Sequence, residues 1–176
     1  MVFILLTSIT NLSPERFKRA KNFLEAKRVV LVAGNLTGKR DFYRSGSINQ
    51  RAAEINQLIY DDTIDIIMST IGGTNTNSVV PYIDYSYLKR HPETFVSYSD
   101  TTALLLAVKA KAPNCRVLYG PALVASFGEW MPYTEQPWSY FKKVCTATGD
   151  FIIKFKASKF WSDEKANWET HEYEKK

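Results

Sequence analysis

Short β-branched and aliphatic runs alternate along this chain with segments whose apolar residues recur at helical spacing. That alternation constrains the fold more than any other feature. A strand that is followed by a helix and then by another strand returns to a parallel sheet by a crossover, and the helices cover both faces. The segment MVFILLTSIT reads as an edge or first strand. Ser13-Pro14-Glu15 opens a helix with a cap residue, a proline at the first helical position and an acid in the first turn; Phe17, Ala20, Phe23 and Leu24 follow on one face. RVVLVA, residues 28–33, is a continuous apolar run that suits a strand buried on both faces. Ser47 to Gln50 forms a capping box, with Ile48, Ala52, Ile55, Leu58 and Ile59 on one helical face. Further strands are expected at Thr63–Met68, Glu93–Val96, Arg116–Tyr119 and Phe151–Phe155, and helices at Thr101–Ala112 and Trp138–Val144. The pattern predicts an α/β fold with a mostly parallel sheet and helices on both faces.

In such sheets a ligand crevice lies outside the carboxyl ends of the strands. The segments that follow the strands therefore carry the argument: Gly34-Asn35, Ser69 to Thr74, Ser97 to Asp100, and Gly120 to Ala122. Hydrophobic residues are 45% of the chain and aromatics 14%, enough for a packed core in 176 residues. The net charge of +5 is spread out, with no run of five basic residues, so it predicts a basic surface and no nucleic-acid partner. The apolar N-terminus is too short for a membrane span and lacks a basic leader, so no membrane partner and a cytoplasmic location are expected. Cys115 and Cys145 lack metal or redox spacing and read as free thiols.

Ser99 stands where an apolar strand meets an apolar helix, in FVSYSDTTALLLA, residues 95–107. Two readings fit. A serine at a helix start is an ordinary cap. A serine on a tight strand-to-helix turn is also the geometry of a nucleophile elbow, where the next backbone N–H can stabilise an oxyanion. Ser97 and Thr101 flank it where small residues are preferred. Gly72-Gly73 follows another strand, and reads either as a strand-ending turn or as a close backbone approach to a ligand; Thr74-Asn75-Thr76-Asn77-Ser78 extends that loop. A serine nucleophile needs a base, and the histidines are His91 and His171 alone. His91 precedes the Ser99 strand at its opposite end, and His171 lies in a charged tail. No zinc, Walker or dinucleotide motif occurs, so no metal and no cofactor are expected.

Three ordered segments resemble the L,D-carboxypeptidase family of serine peptidases, which includes the microcin C immunity proteins. They are RSGSINQRAAEINQLIYDDTIDIIMSTIGGTNTNSVVPYIDY at 44–85, YSDTTALLLA at 98–107 and YGPALVASFGE at 119–129. The resemblance implies a flavodoxin/Rossmann-like, glutamine amidotransferase-like N-terminal domain. It implies Ser99 as the nucleophile, from the family's G-Y-S-D motif. The oxyanion donors it implies are the backbone N–H groups of Asp100 and of Gly72 and Gly73. Thr74, Asn75 and Tyr98 then fall to substrate binding. The substrate it implies is a murein peptide or an aminoacyl nucleotide, and the 67–85 segment is similar to the immunity branch. In that branch an aromatic near the domain connection stacks on the nucleobase; Trp161 or Trp168 matches that place.

Three departures accompany the resemblance. Ser97 stands where the family has glycine, and its Cβ is expected to strain the turn and shift Ser99. The N-terminal strand lacks the family's proline- and serine-rich loop. The family's glutamate and histidine lie in a C-terminal domain, which this chain is expected to lack: residues 1–157 form the nucleophile-bearing domain and 158–176 the connection. The expectation is a serine hydrolase completed by a Glu/His pair from elsewhere, with a truncated, inactive or merely ligand-binding domain as the alternative. A phosphate-binding role for Gly72-Gly73 is a third. An apolar face left open by truncation would favour self-association, a homodimer included.

Overall fold

The computed structural model describes residues 2–6, 13–159 and 161. The elements run β1 (Val2–Leu6), α1 (Pro14–Ala26), β2 (Val30–Ala33), α2 (Ile48–Ile59), β3 (Ile66–Ser69), α3 (Tyr85–Arg90), β4 (Thr94–Ser97), α4 (Thr102–Lys111), β5 (Arg116–Tyr119) and α5 (Glu135–Thr146). The strands form one five-stranded sheet in the order β2-β1-β3-β4-β5, and every pairing is parallel. Local chemistry starts the helices where the sequence places the starts. The Ser13 hydroxyl accepts the Arg16 N–H with Pro14 at the first helical position, and Ser47 and Gln50 close a reciprocal capping box.

Alternate residues along the central strands serve two cores. Ile67 and Phe95 point to one face, against Ile55, Ile59, Leu88, Leu105 and Val108. Ile66, Met68 and Val96 point to the other, against Leu24, Phe127, Trp138 and Phe141. This period of two places helices on both sides of a parallel sheet.

Strand order corrects three expectations. β2 is an edge strand, not one buried on both faces: Val30 and Val32 are 58% and 40% exposed. The N-terminal strand takes the interior place instead, with Ile4 in register with Val32 on one side and Ile67 on the other. Phe151–Phe155 makes no strand. That segment lies against α5, where the Phe155 and Tyr140 rings pack tilted with centroids 4.6 Å apart and the Tyr140 hydroxyl accepts the Lys156 N–H at 2.7 Å. An open apolar groove of about 400 Å³ remains between β5 and α5, lined by Val117, Tyr119, Pro121, Phe141 and Phe155. Both cysteines are free thiols. Among the described residues no helix is long and apolar enough to cross a membrane.

Candidate active site

β4 delivers its chain to the carboxyl edge of the sheet. Tyr98 is extended, with φ −154° and ψ 176°. Ser99 then takes φ +58°, in the left-handed region, and a single 3-10 turn leads into α4. A left-handed backbone costs a non-glycine residue about 1–2 kcal/mol. Such strain persists only where the surrounding structure over-determines it, and it clusters at functional sites. The cap reading does not survive. No side chain caps the 3-10 turn or α4, and Ser99 is exposed. Its conformation is that of an elbow.

Gly72 explains why the elbow is tight. A Cβ on Gly72 would stand 2.7 Å from the Ser99 Cβ and 2.9 Å from its Oγ, and 3.7 Å from the Asp100 nitrogen. Real Cβ atoms do not approach so closely, so glycine is required here for a tertiary contact. Its own φ is not positive. The loop after β3 and the turn after β4 thus touch through Gly72 and Ser99. They are fastened a few residues on, where one carboxylate oxygen of Asp100 accepts both the Thr76 N–H at 2.8 Å and the Thr76 hydroxyl at 2.6 Å. The Tyr98 side chain is half-buried; burial raises its pKa, a hydrogen bond from the Gly72 backbone opposes that, and nearby Tyr119 adds to the rise. Gly73 is half-buried and Thr74 exposed; the Asn75 side-chain oxygen is buried without a hydrogen-bond partner.

Ser97 keeps an ordinary strand backbone. It is the last residue of β4, in register with Tyr119, and it is 4% exposed. The strain falls two residues later, at Ser99, because that is where the chain reverses from strand to turn. His91 ends α3 and stacks on Tyr87 with centroids 4.2 Å apart, at the end of β4 opposite Ser99. Trp161 is 77% exposed, and among the described residues no contact joins it to Ser99, Asp100 or Gly72. His171 and Trp168 lie outside the described residues.

Three buried charges escaped the sequence reading. Arg51, 4% exposed, donates from Nη2 to the Ser78 hydroxyl at 3.0 Å, and so ties α2 to the loop that holds Gly72 and Thr76. Burial lowers its pKa, as does Arg44, while Asp100 and Tyr43 oppose the shift. Glu54, also 4% exposed, accepts the Leu36 N–H at 2.6 Å, and burial raises its pKa. Arg16, fully buried in the first turn of α1, pairs with Glu129 beyond the π-helical turn Leu123–Phe127. The only sequence signal for Glu129, Arg51 and Glu54 is their place in the segments at 119–129 and 44–85; nothing local marks Arg16.

Comparison with known proteins places this geometry. The pattern of the LD-carboxypeptidase N-terminal domain matches residues 4–120. A Vibrio cholerae protein that carries the name of a carboxypeptidase is 48% identical over 162 residues, 92% of this chain and 48% of its own length. The microcin C7 self-immunity protein MccF of Escherichia coli is 46% identical over 153 residues, 87% of this chain and 44% of its own. The chain thus spans about half the length of these relatives. MccF solved with aspartyl sulfamoyl adenosine superposes with a TM-score of 0.88, covering 95% of this chain and 50% of that one at 42% identity. A muramoyltetrapeptide carboxypeptidase from Oxalobacter formigenes, 16% identical with a TM-score of 0.70 over 84% of this chain and 48% of its own, shares the fold. The ordered segments, the parallel sheet and the extent of these matches agree: this chain belongs to the LD-carboxypeptidase family and corresponds to its N-terminal domain.

Proposed function

We propose that this chain is the nucleophile-bearing half of a serine hydrolase, with Ser99 as nucleophile. The observation that carries the proposal is the exposed Ser99 at φ +58°, backed by Gly72, where a Cβ would stand 2.7 Å from the Ser99 Cβ. In this reading the Ser99 Oγ attacks the carbonyl carbon of a substrate amide and its proton passes to a base. The backbone N–H of Asp100 and those of Gly72 and Gly73 stabilise the resulting oxyanion. The proton then moves to the leaving nitrogen, the C–N bond breaks, and water releases the acyl group from Ser99. A glutamate and a histidine from a C-terminal half supply and orient the base; relatives of about twice this length support that assignment. In this reading residues 1–157 are the nucleophile-bearing domain and 158–176 the connection.

The substrate class is an aminoacyl nucleotide or a murein peptide. MccF, 46% identical, has been solved with aspartyl sulfamoyl adenosine and with glutamyl sulfamoyl guanosine. An MccF variant described as an active-site mutant replaces a serine, an asparagine and a lysine by alanine, which supports a serine at the centre of the chemistry. Thr74, Asn75 and Tyr98 flank the elbow and are assigned to substrate binding; Trp161 or Trp168 is assigned to a nucleobase. One observation favours a binding domain without turnover when the chain is alone: His91 is at the wrong end of β4.

The test is hydrolysis of an aminoacyl sulfamoyl adenylate and a murein tetrapeptide by this chain joined to the C-terminal half of MccF, beside its Ser99→Ala variant. The expected result is turnover of one substrate that falls at least a thousandfold in Ser99→Ala, since serine and base act as a unit. Undiminished turnover in Ser99→Ala would refute the assignment.

A further inference from the structure

Three hydroxyls lie buried directly beneath the elbow. Ser69 ends β3, Ser97 ends β4 and Thr101 precedes α4; they are 1%, 4% and 3% exposed. The Ser69 and Ser97 oxygens are 2.7 Å apart, Ser97 is hydrogen-bonded to Thr101, and the Thr101 hydroxyl donates to the Tyr98 carbonyl at 2.6 Å. Proton counting fixes the direction. Each hydroxyl has a single hydrogen, and a carbonyl only accepts. The Thr101 hydrogen is committed to Tyr98 at 2.6 Å, in preference to Ser69 at 3.4 Å. Ser97 must then donate to Thr101, and Ser69 to Ser97.

We infer that this one-way chain, Ser69 to Ser97 to Thr101 to the Tyr98 carbonyl, is a positioning device for the nucleophile elbow. The Tyr98 carbonyl belongs to the peptide that enters Ser99, so fixing it fixes the rotation that gives Ser99 its left-handed φ. Successive hydrogen bonds polarise one another, and each upstream donor strengthens the last link. Ser97 becomes the central member of the chain. Its hydroxyl bridges the ends of β3 and β4 to the turn. The catalytic part of the inference rests on Ser99 being the nucleophile; the geometric part does not.

The experiment has two arms. Nuclear magnetic resonance on the 176-residue chain reads the Tyr98 carbonyl shift and the φ-dependent coupling of Ser99 in wild type, Thr101→Val, Thr101→Ser and Ser97→Ala. The expected order of disturbance is Thr101→Val, then Ser97→Ala, with Thr101→Ser close to wild type. Turnover by the chain joined to the MccF C-terminal half should follow the same order. Loss of the final link lowers kcat roughly tenfold, loss of the middle hydroxyl two- to threefold, and KM does not move. An unchanged Tyr98 signal in Thr101→Val, or Thr101→Ser as disturbed as Thr101→Val, would overturn the inference. Should Thr101→Val fail to fold, Ser97→Ala against Thr101→Ser decides it, and equal signals there overturn it as well. If Ser99→Ala keeps full turnover, the proposed function fails while the first arm still decides the geometry.

Discussion

The contact between Gly72 and Ser99 makes a prediction whose sign depends on its partner. Gly72→Ala puts a Cβ 2.7 Å from the Ser99 Cβ and 2.9 Å from its Oγ. The Oγ can rotate away, but the Ser99 Cβ is fixed by a backbone held at φ +58°. Relief requires the β3 loop or the elbow itself to move, and overpacking of this kind costs about 1–3 kcal/mol. In a Ser99→Gly background both close contacts vanish, and the next contact, the Asp100 nitrogen, stands at an ordinary 3.7 Å. Gly72 is not among the glycines with positive φ, so alanine fits its backbone there. The same substitution then becomes neutral, or stabilising by up to about 1 kcal/mol, because alanine loses less entropy on folding. The four proteins of this double-mutant cycle, compared by urea unfolding, should show a coupling of about 2 kcal/mol at constant m-value. Ser99→Gly by itself should stabilise by about 1 kcal/mol, because glycine adopts the left-handed region without a Cβ penalty. An equal cost for Gly72→Ala in both backgrounds would refute the reasoning, since the clash would then lie elsewhere.

Two further outcomes follow from buried charge. Glu93, at the start of β4, has its pKa raised to about 7, first by burial and then by Asp62 and Asp65. The folded protein therefore holds this proton more tightly than the unfolded chain, so the contribution is most favourable below pH 4.5 and is lost as pH rises towards 7. Glu93 is only partly buried, so solvent screening holds the loss to about 1 kcal/mol, and urea unfolding of Glu93→Gln across that window should show a flatter profile; an identical slope would count against it. Glu129→Ala leaves the fully buried Arg16 without this carboxylate and should lower stability by about 3 kcal/mol. A change below about 0.5 kcal/mol, the size of an ordinary surface substitution, would mean that the pair carries no weight.

Much of the site was legible from residue types. A serine and an aspartate between TFVS and TALLLA mark a strand-to-helix corner, and paired glycines after IIMS mark a backbone approach. The decision between cap and elbow was not legible, because it is made by one dihedral angle, and residues 97–101 are compatible with both. The role of Ser97 was not legible for a related reason: its hydroxyl joins a buried chain whose other members come from β3 and from the turn before α4. Arg16 and Arg51 look like solvent-facing helix residues, since a periodic pattern cannot show that a loop or a turn folds over the polar face.

What the sequence by itself determined is local. Ser13 with Arg16 and Ser47 with Gln50 form caps across three residues, and apolar spacing sets the helices and most of the strands. These follow from chemistry within one or two turns of chain. Strand order, and with it which strand is buried, was decided by tertiary structure: VVLVA and VFILL are both wholly apolar, but a sheet has only so many interior places, and register with Ile66–Ser69 gave one to the N-terminal strand. The site was decided in the same way. Gly72 and Ser99, and Thr76 and Asp100, lie far apart in sequence and meet because β3 and β4 are parallel neighbours whose carboxyl ends share one edge.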